Sequence, residues 1–569
     1  MQDRKEPIVI SFFSILIMMI PALLLLYYVH IFGVNGVFSD EWTMIRLFEK
    51  MMNGNLTFSD LFALHNEHRV FFPRIAILIL GILTRYNTIA QMVLCWVLIS
   101  LTGLIIFQIY RRKFSDLRYF KLALIFLPVS FLLFSFRQYE SILGEIITTY
   151  LLIFGAVATF SLLEVSKKID RWFILSFVTA ILASFSMIIG LLVWPVGFIQ
   201  IIMVKGRQRL EKTASWICLS ILIFASYFYR YSKPSYHPQL SYMFENPFDG
   251  GLYLVTLIGA PLSYEKISAA AIGSLLILIA IYIIVQASRE KLLRINAVWL
   301  SLILFSALSV LAITLGRSGF GWEQALTSRY IPVATLGITG LYFLAVSTHR
   351  IKTKSFGAHF MLTLILLGTI SSYGVGWYVG EKTMYAREMG AYTLETYDVQ
   401  TDQRIRSYLL FKPQEVRKLA GFLETNRLNV FAKEEVDTSK ITMNSDSTRS
   451  TIDTINGEKL RSESPVLIDR KLQETIIIAG WAVDSKANDV ASAVFIVING
   501  EMNIPTVYGI ERVDIAQAYN NPNFKNSGYF AIFSSSILDE GENTISLKIV
   551  SKDGTYFYDS EKTVLLIVS

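Results

Sequence analysis

Long apolar runs parted by short charged clusters fill the first two thirds of the chain, and a two-residue alternation replaces them after about residue 464. A helix needs about 20 apolar residues to cross a bilayer core. About eleven stretches qualify: 8–32, 88–110, 119–136, 143–163, 172–190, 191–204, 214–231, 267–287, 295–315, 329–347 and 358–379. Two of these, 172–190 and 191–204, are short and almost continuous, so Gly190 and the Trp194-Pro195 step predict the break of a tight helical hairpin.

Residues 69–84 are apolar enough to cross, but counting them would place Arg111, Arg112 and Lys113 outside. Laying them in the outer interface instead puts that cluster inside. Lys167, Lys168 and Arg171 then agree, as do Lys205, Arg207, Arg209 and Lys212; Arg289, Lys291 and Arg294; and Arg350, Lys352 and Lys354. The predicted topology has a cytoplasmic N-terminus, behind Arg4 and Lys5, and an extracytoplasmic C-terminus. Its outer face collects the long loops, from about 32 to 87, 231 to 266 and 316 to 329, and everything after Gly380. Work is therefore expected on that face.

Three segments follow from the pattern: a transmembrane domain over 1–380, a charged and mainly helical connector over 381–463, and a β-sandwich over 464–569. In the connector, Pro413 opens an amphipathic helix through Leu423. In the tail, strands are predicted at 475–479, 493–497, 529–533, 545–549 and 564–567, with Gly, Asn and Asp between them.

The chain has 569 residues, 53% of them hydrophobic and 17% charged, which is too little polar surface to coat soluble domains of that size. Its formal charge of +7 lies in clusters between apolar runs and not along one face, which argues against a nucleic-acid partner. Cys95 and Cys218 both sit in apolar stretches, so no disulfide framework is expected in the exported part, as fits a bacterial surface.

Four polar groups stand out on the outer side. Asp40 and Glu41 follow the first span directly; a carboxylate there, poorly solvated against an apolar wall, suits proton abstraction from a hydroxyl. The plainer alternative makes Asp40 the cap and Glu41 the first turn of a helix over 42–52. His65, Glu67, His68 and Arg69, ahead of Phe71-Phe72-Pro73-Arg74, can bind a phosphate or headgroup, hold a divalent metal, or serve only structural polar bonding. Arg317, in a glycine-rich loop, and Arg329, beside Tyr330, can fork onto a phosphate or simply snorkel at the interface. Arg137, Gln138, Tyr139 and Glu140, with Glu145, occupy a short turn and can line the same cavity or merely pair with each other. Tyr231, Lys233, His237 and Glu245 are further candidate contacts in the 231–266 loop.

No Walker motif, no strand-to-helix Gly-x-Gly-x-x-Gly and no Asp-x-Asp pair is present, so chemistry on a cytosolic nucleotide donor lacks its usual equipment.

The first span, the long loop carrying Asp40-Glu41, the interfacial helix and the later spans together resemble the GT-C superfamily of membrane glycosyltransferases, which use polyprenyl-phosphate sugars. The adjacent Asp-Glu pair is similar to that of the protein O-mannosyltransferases. The Glu67-His68-Arg69-x-Phe71-Phe72-Pro73-Arg74 and Ser328-Arg329-Tyr330 stretches look like those of bacterial members that modify surface polysaccharides or S-layer glycans, a rhamnosyltransferase among them. The resemblance implies a GT-C-like bundle with Asp40 as catalytic base and Glu41 as its neighbour. It implies donor-phosphate roles for His65, His68, Arg69, Arg317 and Arg329, and acceptor or pocket roles for Glu67, Arg137, Glu140 and Tyr330. A divalent cation, Mg or Mn, would fall to Asp40, Glu41, His65 and His68.

In the tail, Ala479-Gly480-Trp481-Ala482-Val483-Asp484 and Ser527-Gly528-Tyr529-Phe530 look like β-sandwich modules appended to such enzymes, similar to a carbohydrate-binding module. Trp481 either serves glycan binding or fills the core. The expected activity is inverting transfer of a sugar from a polyprenyl-phosphate donor to a cell-surface glycan acceptor. A lipid-linked glycan transporter or flippase is the alternative, and transporters usually put polar residues and broken helices at the bilayer midplane.

Overall fold

The computed structural model describes residues 8–144, 146–204, 206–349, 356–433, 442–444, 448–460, 465–560 and 563–569. Arg4, Lys5, Glu145, Lys205, Arg350, Lys352, Lys354 and the expected domain start at Ser464 lie outside the described residues. The chain is mainly helical and divides into two compact units: Met1–Val34 with Lys50–Tyr385, and Asn35–Glu49 with Ala386–Ser569.

Eight helices among the described residues are long and apolar enough to cross a membrane, the pattern of a multi-pass membrane protein. They are Ser11–Phe32, Thr88–Lys113, Tyr119–Leu143, Ile147–Val165, Lys266–Arg289, Ala297–Phe320, Ser328–Thr348 and Gly357–Glu395. The count differs from eleven for a physical reason. Arg171–Ser184 and Val193–Met203 have 14 and 11 residues, about 21 and 17 Å at 1.5 Å per residue, against a core of about 30 Å. Arg209–Phe228 opens on Arg209, Glu211 and Lys212 and is not among the eight. The expected hairpin break is a 3₁₀ turn, Ile188–Leu192, and Pro195 lies in the first turn of the helix that follows, where its missing N–H costs nothing.

Lipid offers no hydrogen bonds, so polar groups within the bundle pair internally. Trp194 Nε1 donates to Ser184 Oγ at 2.9 Å, Trp216 Nε1 to the Trp194 carbonyl at 2.8 Å, and Gln200 Nε2 to the Phe160 carbonyl at 2.8 Å. The 231–266 stretch, expected as a loop, holds two helices, Tyr242–Glu245 and Pro247–Gly259. The second packs on Lys266–Arg289 at glycines: a Cβ on Gly259 would lie 1.9 Å from the Ala269 carbonyl oxygen, and one on Gly273 1.8 Å from that of Val255.

In the second unit, Pro413–Thr425 buries Val416, Leu419, Ala420 and Leu423 on one face, as helical spacing requires. The β-rich tail forms two sheets. One runs Met502–Pro505, Ala493–Ile498, Gly541–Val550, Tyr556–Asp559, Thr442–Met443, with Val564–Val568 and Val466–Ile468 off Gly541–Val550. The other runs Val507–Ile510, Gly528–Ser534, Thr475–Asp484, Ser450–Ile455, Glu458–Lys459. Both sheets feed one apolar core: Ile476 and Ile478 meet Ile496, Ile498, Ile545 and Leu547 there, while Ile477 between them is exposed. Gly480 allows a close crossing, since a Cβ would lie 2.0 Å from the Thr451 carbonyl oxygen and 2.7 Å from the Tyr529 hydroxyl.

The chain leading into this tail is sewn to it. Tyr392 accepts from the Ile532 N–H at 3.0 Å, Gln400 Nε2 donates to the Ile532 carbonyl at 2.6 Å, and Ser534 N donates to the Val399 carbonyl at 2.7 Å. Trp481 is buried in a smaller cluster with Val483, Ile515 and Phe524, and its ring packs on Tyr519.

Candidate functional site

The carboxylates after the first span belong to the second unit and not to the helical body. A turn at Ser39, left-handed at φ 53°, starts the helix Glu41–Met52. The Asp40 carbonyl accepts from Thr43 N at 3.0 Å and Thr43 Oγ1 at 2.7 Å. Trp42, Ile45 and Phe48 bury one face of that helix, with Trp42 stacked on Phe411, which leaves Asp40 exposed and Glu41 half-buried. Within the same unit Arg46 pairs with Glu415, Lys418 Nζ lies 3.4 Å from Glu49 Oε1, and Ser39 N donates to the Leu409 carbonyl at 3.0 Å.

The first unit gathers a second group. Leu64–His65 and His68–Arg69 form a small antiparallel hairpin with His65 opposite His68 and Asn66 in the left-handed region at φ 52°. That turn presents Glu67. Its Oε1 pairs with Arg317 Nη2, at the end of the helix Ala297–Arg317, and lies 3.6 Å from His68 Nε2. Its Oε2 is buried, 3.1 Å from His237 Nδ1, without a satisfied hydrogen bond. Arg317 Nη1 donates to His237 Nε2 at 3.0 Å, which requires that nitrogen to be unprotonated and the ring neutral, with its proton on Nδ1.

Burial pushes the His68 imidazole down to about 4, with the Glu67 charge opposing and Arg317 adding to the shift. Burial also lowers His237, helped by Arg317. Carboxylate, guanidinium and two imidazoles from segments far apart in sequence thus share one half-buried spot. His237, weighed in the sequence as one loop contact among several, is central to it.

The other expected phosphate ligands are placed differently. Arg69 is buried and donates to three carbonyls: Tyr227 at 2.6 Å, Phe62 at 2.7 Å, and Tyr229. Arg137 is buried too, donating to the carbonyls of Ser263 at 2.9 Å and Leu326 at 2.6 Å, with its guanidinium 4.5 Å from the centre of the Tyr264 ring. Glu140 Oε2 accepts from Arg329 N at 3.3 Å, and its own N–H donates to Ser328 Oγ at 3.0 Å. Arg329 is exposed over Tyr330, whose hydroxyl accepts from Gln324 Nε2 at 3.4 Å. Gln324 in turn accepts from the buried Tyr253, a link that no local sequence signal marked.

Among the described residues no three His, Cys, Asp or Glu side chains are grouped to hold a metal ion.

Beside His237 an open pocket of about 350 Å³ is walled by Tyr236, Tyr242 and Phe320, with Gln239 and Glu245 at its edge.

No protein-family model matches the chain, and no solved structure matches it. An uncharacterized protein of Archaeoglobus fulgidus is 27% identical over 248 residues, covering 38% of this chain and 62% of that relative. The chain therefore spans less than two thirds of the length of the relative it matches.

Proposed function

We propose that this protein is a membrane glycosyltransferase of the GT-C type, moving a sugar from a polyprenyl-phosphate donor to a surface glycan acceptor on the extracytoplasmic side. The observation that carries the reading is the Glu67, Arg317 and His237 cluster: a charged, half-buried group at the ends of apolar helices, with an open pocket alongside. Arg69 and Arg137 commit their guanidinium groups to carbonyls. Arg317, turned to a charged partner, and Arg329, exposed, are the forks left for a lipid phosphate.

The resemblance assigns the base to Asp40, an exposed residue. As the acceptor oxygen bonds the anomeric carbon, its proton passes to Asp40 and the bond to phosphate breaks on the opposite face. The bonding electrons leave with the lipid phosphate. On this reading the membrane topology is that of the charged clusters, with the polar loops outside, and the β-rich tail, a β-sandwich, keeps acceptor glycan near the membrane.

The test is to incubate the purified full chain in nanodiscs with a panel of polyprenyl-phosphate sugars and surface-glycan fragments, measuring freed lipid phosphate and elongated glycan. Turnover is expected, abolished by Asp40→Asn with an unchanged melting temperature. An active Asp40→Asn removes that residue from the mechanism, and no turnover across the panel overturns the assignment.

A further inference from the structure

We infer that the pocket beside His237 is a saccharide subsite that takes one uncharged sugar ring, the terminal residue of the acceptor. The inference deepens the glycosyltransferase reading and rests on it for what carries the ring.

The walls define the ligand. Tyr236 and Phe320 are exposed, and with Tyr242 they give the pocket three aromatic faces. Such faces suit the C–H side of a pyranose, which is apolar while its rim is polar. Polar groups sit at the edge: the Gln239 amide both donates and accepts, and the Glu245 carboxylate accepts from paired hydroxyls. The lining mixes aromatic faces with polar groups, as a sugar's own surface does, and about 350 Å³ lies at the small end of the range for small-molecule sites.

Charge sets the limit on what enters. His237 lines the pocket edge-on to Tyr236, ring centroids 4.5 Å apart, and its two nitrogens face Glu67 and Arg317. The Arg317 guanidinium lies 5.9 Å from the centre of the Phe320 ring, with its charge balanced by Glu67. Among the described lining residues Glu245 is the one carboxylate, so an acidic sugar meets a like charge while a neutral one does not.

The walls are also held in place. The Tyr236 hydroxyl donates to Asn66 Oδ1 at 2.6 Å, fixing that ring to the hairpin that carries Glu67. Gly319 lets the loop close on the floor, since a Cβ there would lie 2.6 Å from Pro238 Cβ and 3.4 Å from Tyr242 Cγ.

Saturation-transfer NMR on the full chain in nanodiscs, with empty nanodiscs as control, tests the proposal using methyl mannoside, methyl rhamnoside, methyl glucoside and methyl glucuronide. At least one neutral glycoside is expected to bind saturably and more tightly than the glucuronide. Phe320→Ala, at an exposed position, is expected to weaken it at least tenfold, and Glu245→Gln to narrow the gap to the glucuronide. Binding that saturates with no neutral glycoside, or that Phe320→Ala leaves unchanged, overturns the subsite. If glycoside binding follows the pocket while no donor supports transfer, the subsite stands and the enzyme reading falls. If transfer proceeds while binding ignores the pocket, the enzyme reading stands and the subsite falls.

Discussion

Glu67 and Arg317 form an ion pair across 250 positions of sequence, joining the turn of a two-stranded hairpin to the end of a membrane-length helix. Both side chains are largely withdrawn from water, with 14% and 19% of their surface exposed. Removing one partner strands the other's charge in a poor solvent. Arg317→Met is therefore expected to destabilise the protein by about 3 kcal/mol, and Glu67→Gln combined with it by less than the two single changes added. Melting temperatures of the four proteins of this double-mutant cycle check the coupling.

Acid should loosen the same spot. The folded pKa of His68 is pushed down to about 4 by burial, from about 6.5 in an unfolded chain. Between those values the unfolded chain binds a proton that the folded one refuses, so stability falls as pH drops from about 6.5 towards 4 and is flat above. His237 shifts in the same direction. Melting temperature followed over that window should fall on acidification, and His68→Gln should shallow the slope.

Arg137 is expected to be structural. It donates to the Ser263 and Leu326 carbonyls and covers the Tyr264 ring. Arg137→Ala leaves two carbonyls without their charged donor and should cost about 3 kcal/mol. Arg137→Lys should recover only part of that, because an ammonium cannot fork to both acceptors. Thermal melts of the two variants decide it.

In the tail, Gly480→Ala drives a methyl group into the Thr451 carbonyl, to which the Tyr529 hydroxyl also donates at 3.1 Å. Overpacking of this kind costs about 1–3 kcal/mol, while Tyr529→Phe, losing one hydrogen bond, costs about 1 kcal/mol. Limited proteolysis of the full chain should cut the tail of the first variant faster than that of the second.

What the sequence discloses and what it hides divide by range. The first apolar run, 8–32, coincides with the helix Ile8–Phe32, and the alternation at 475–479 falls within the strand Thr475–Asp484, because periodicity is written locally. The helix Pro247–Gly259 was missed since Pro-Phe-Asp-Gly-Gly reads as loop; its support comes from the glycine contact with Lys266–Arg289. The placing of Asn35–Glu49 with the tail is not legible either, as chain order sets these residues beside the first span. Likewise Glu67, His237 and Arg317 are each visible as polar outer residues, but nothing short-range pairs them.

The three carbonyls that hold Arg69 give the adjacent hairpin a mechanical property. To swing outward, the turn has to part a guanidinium from Phe62, Tyr227 and Tyr229 together, so it behaves as a rigid bracket. Glu67 and Asn66 then stand in position before any ligand arrives, and little of a ligand's binding energy goes into ordering them.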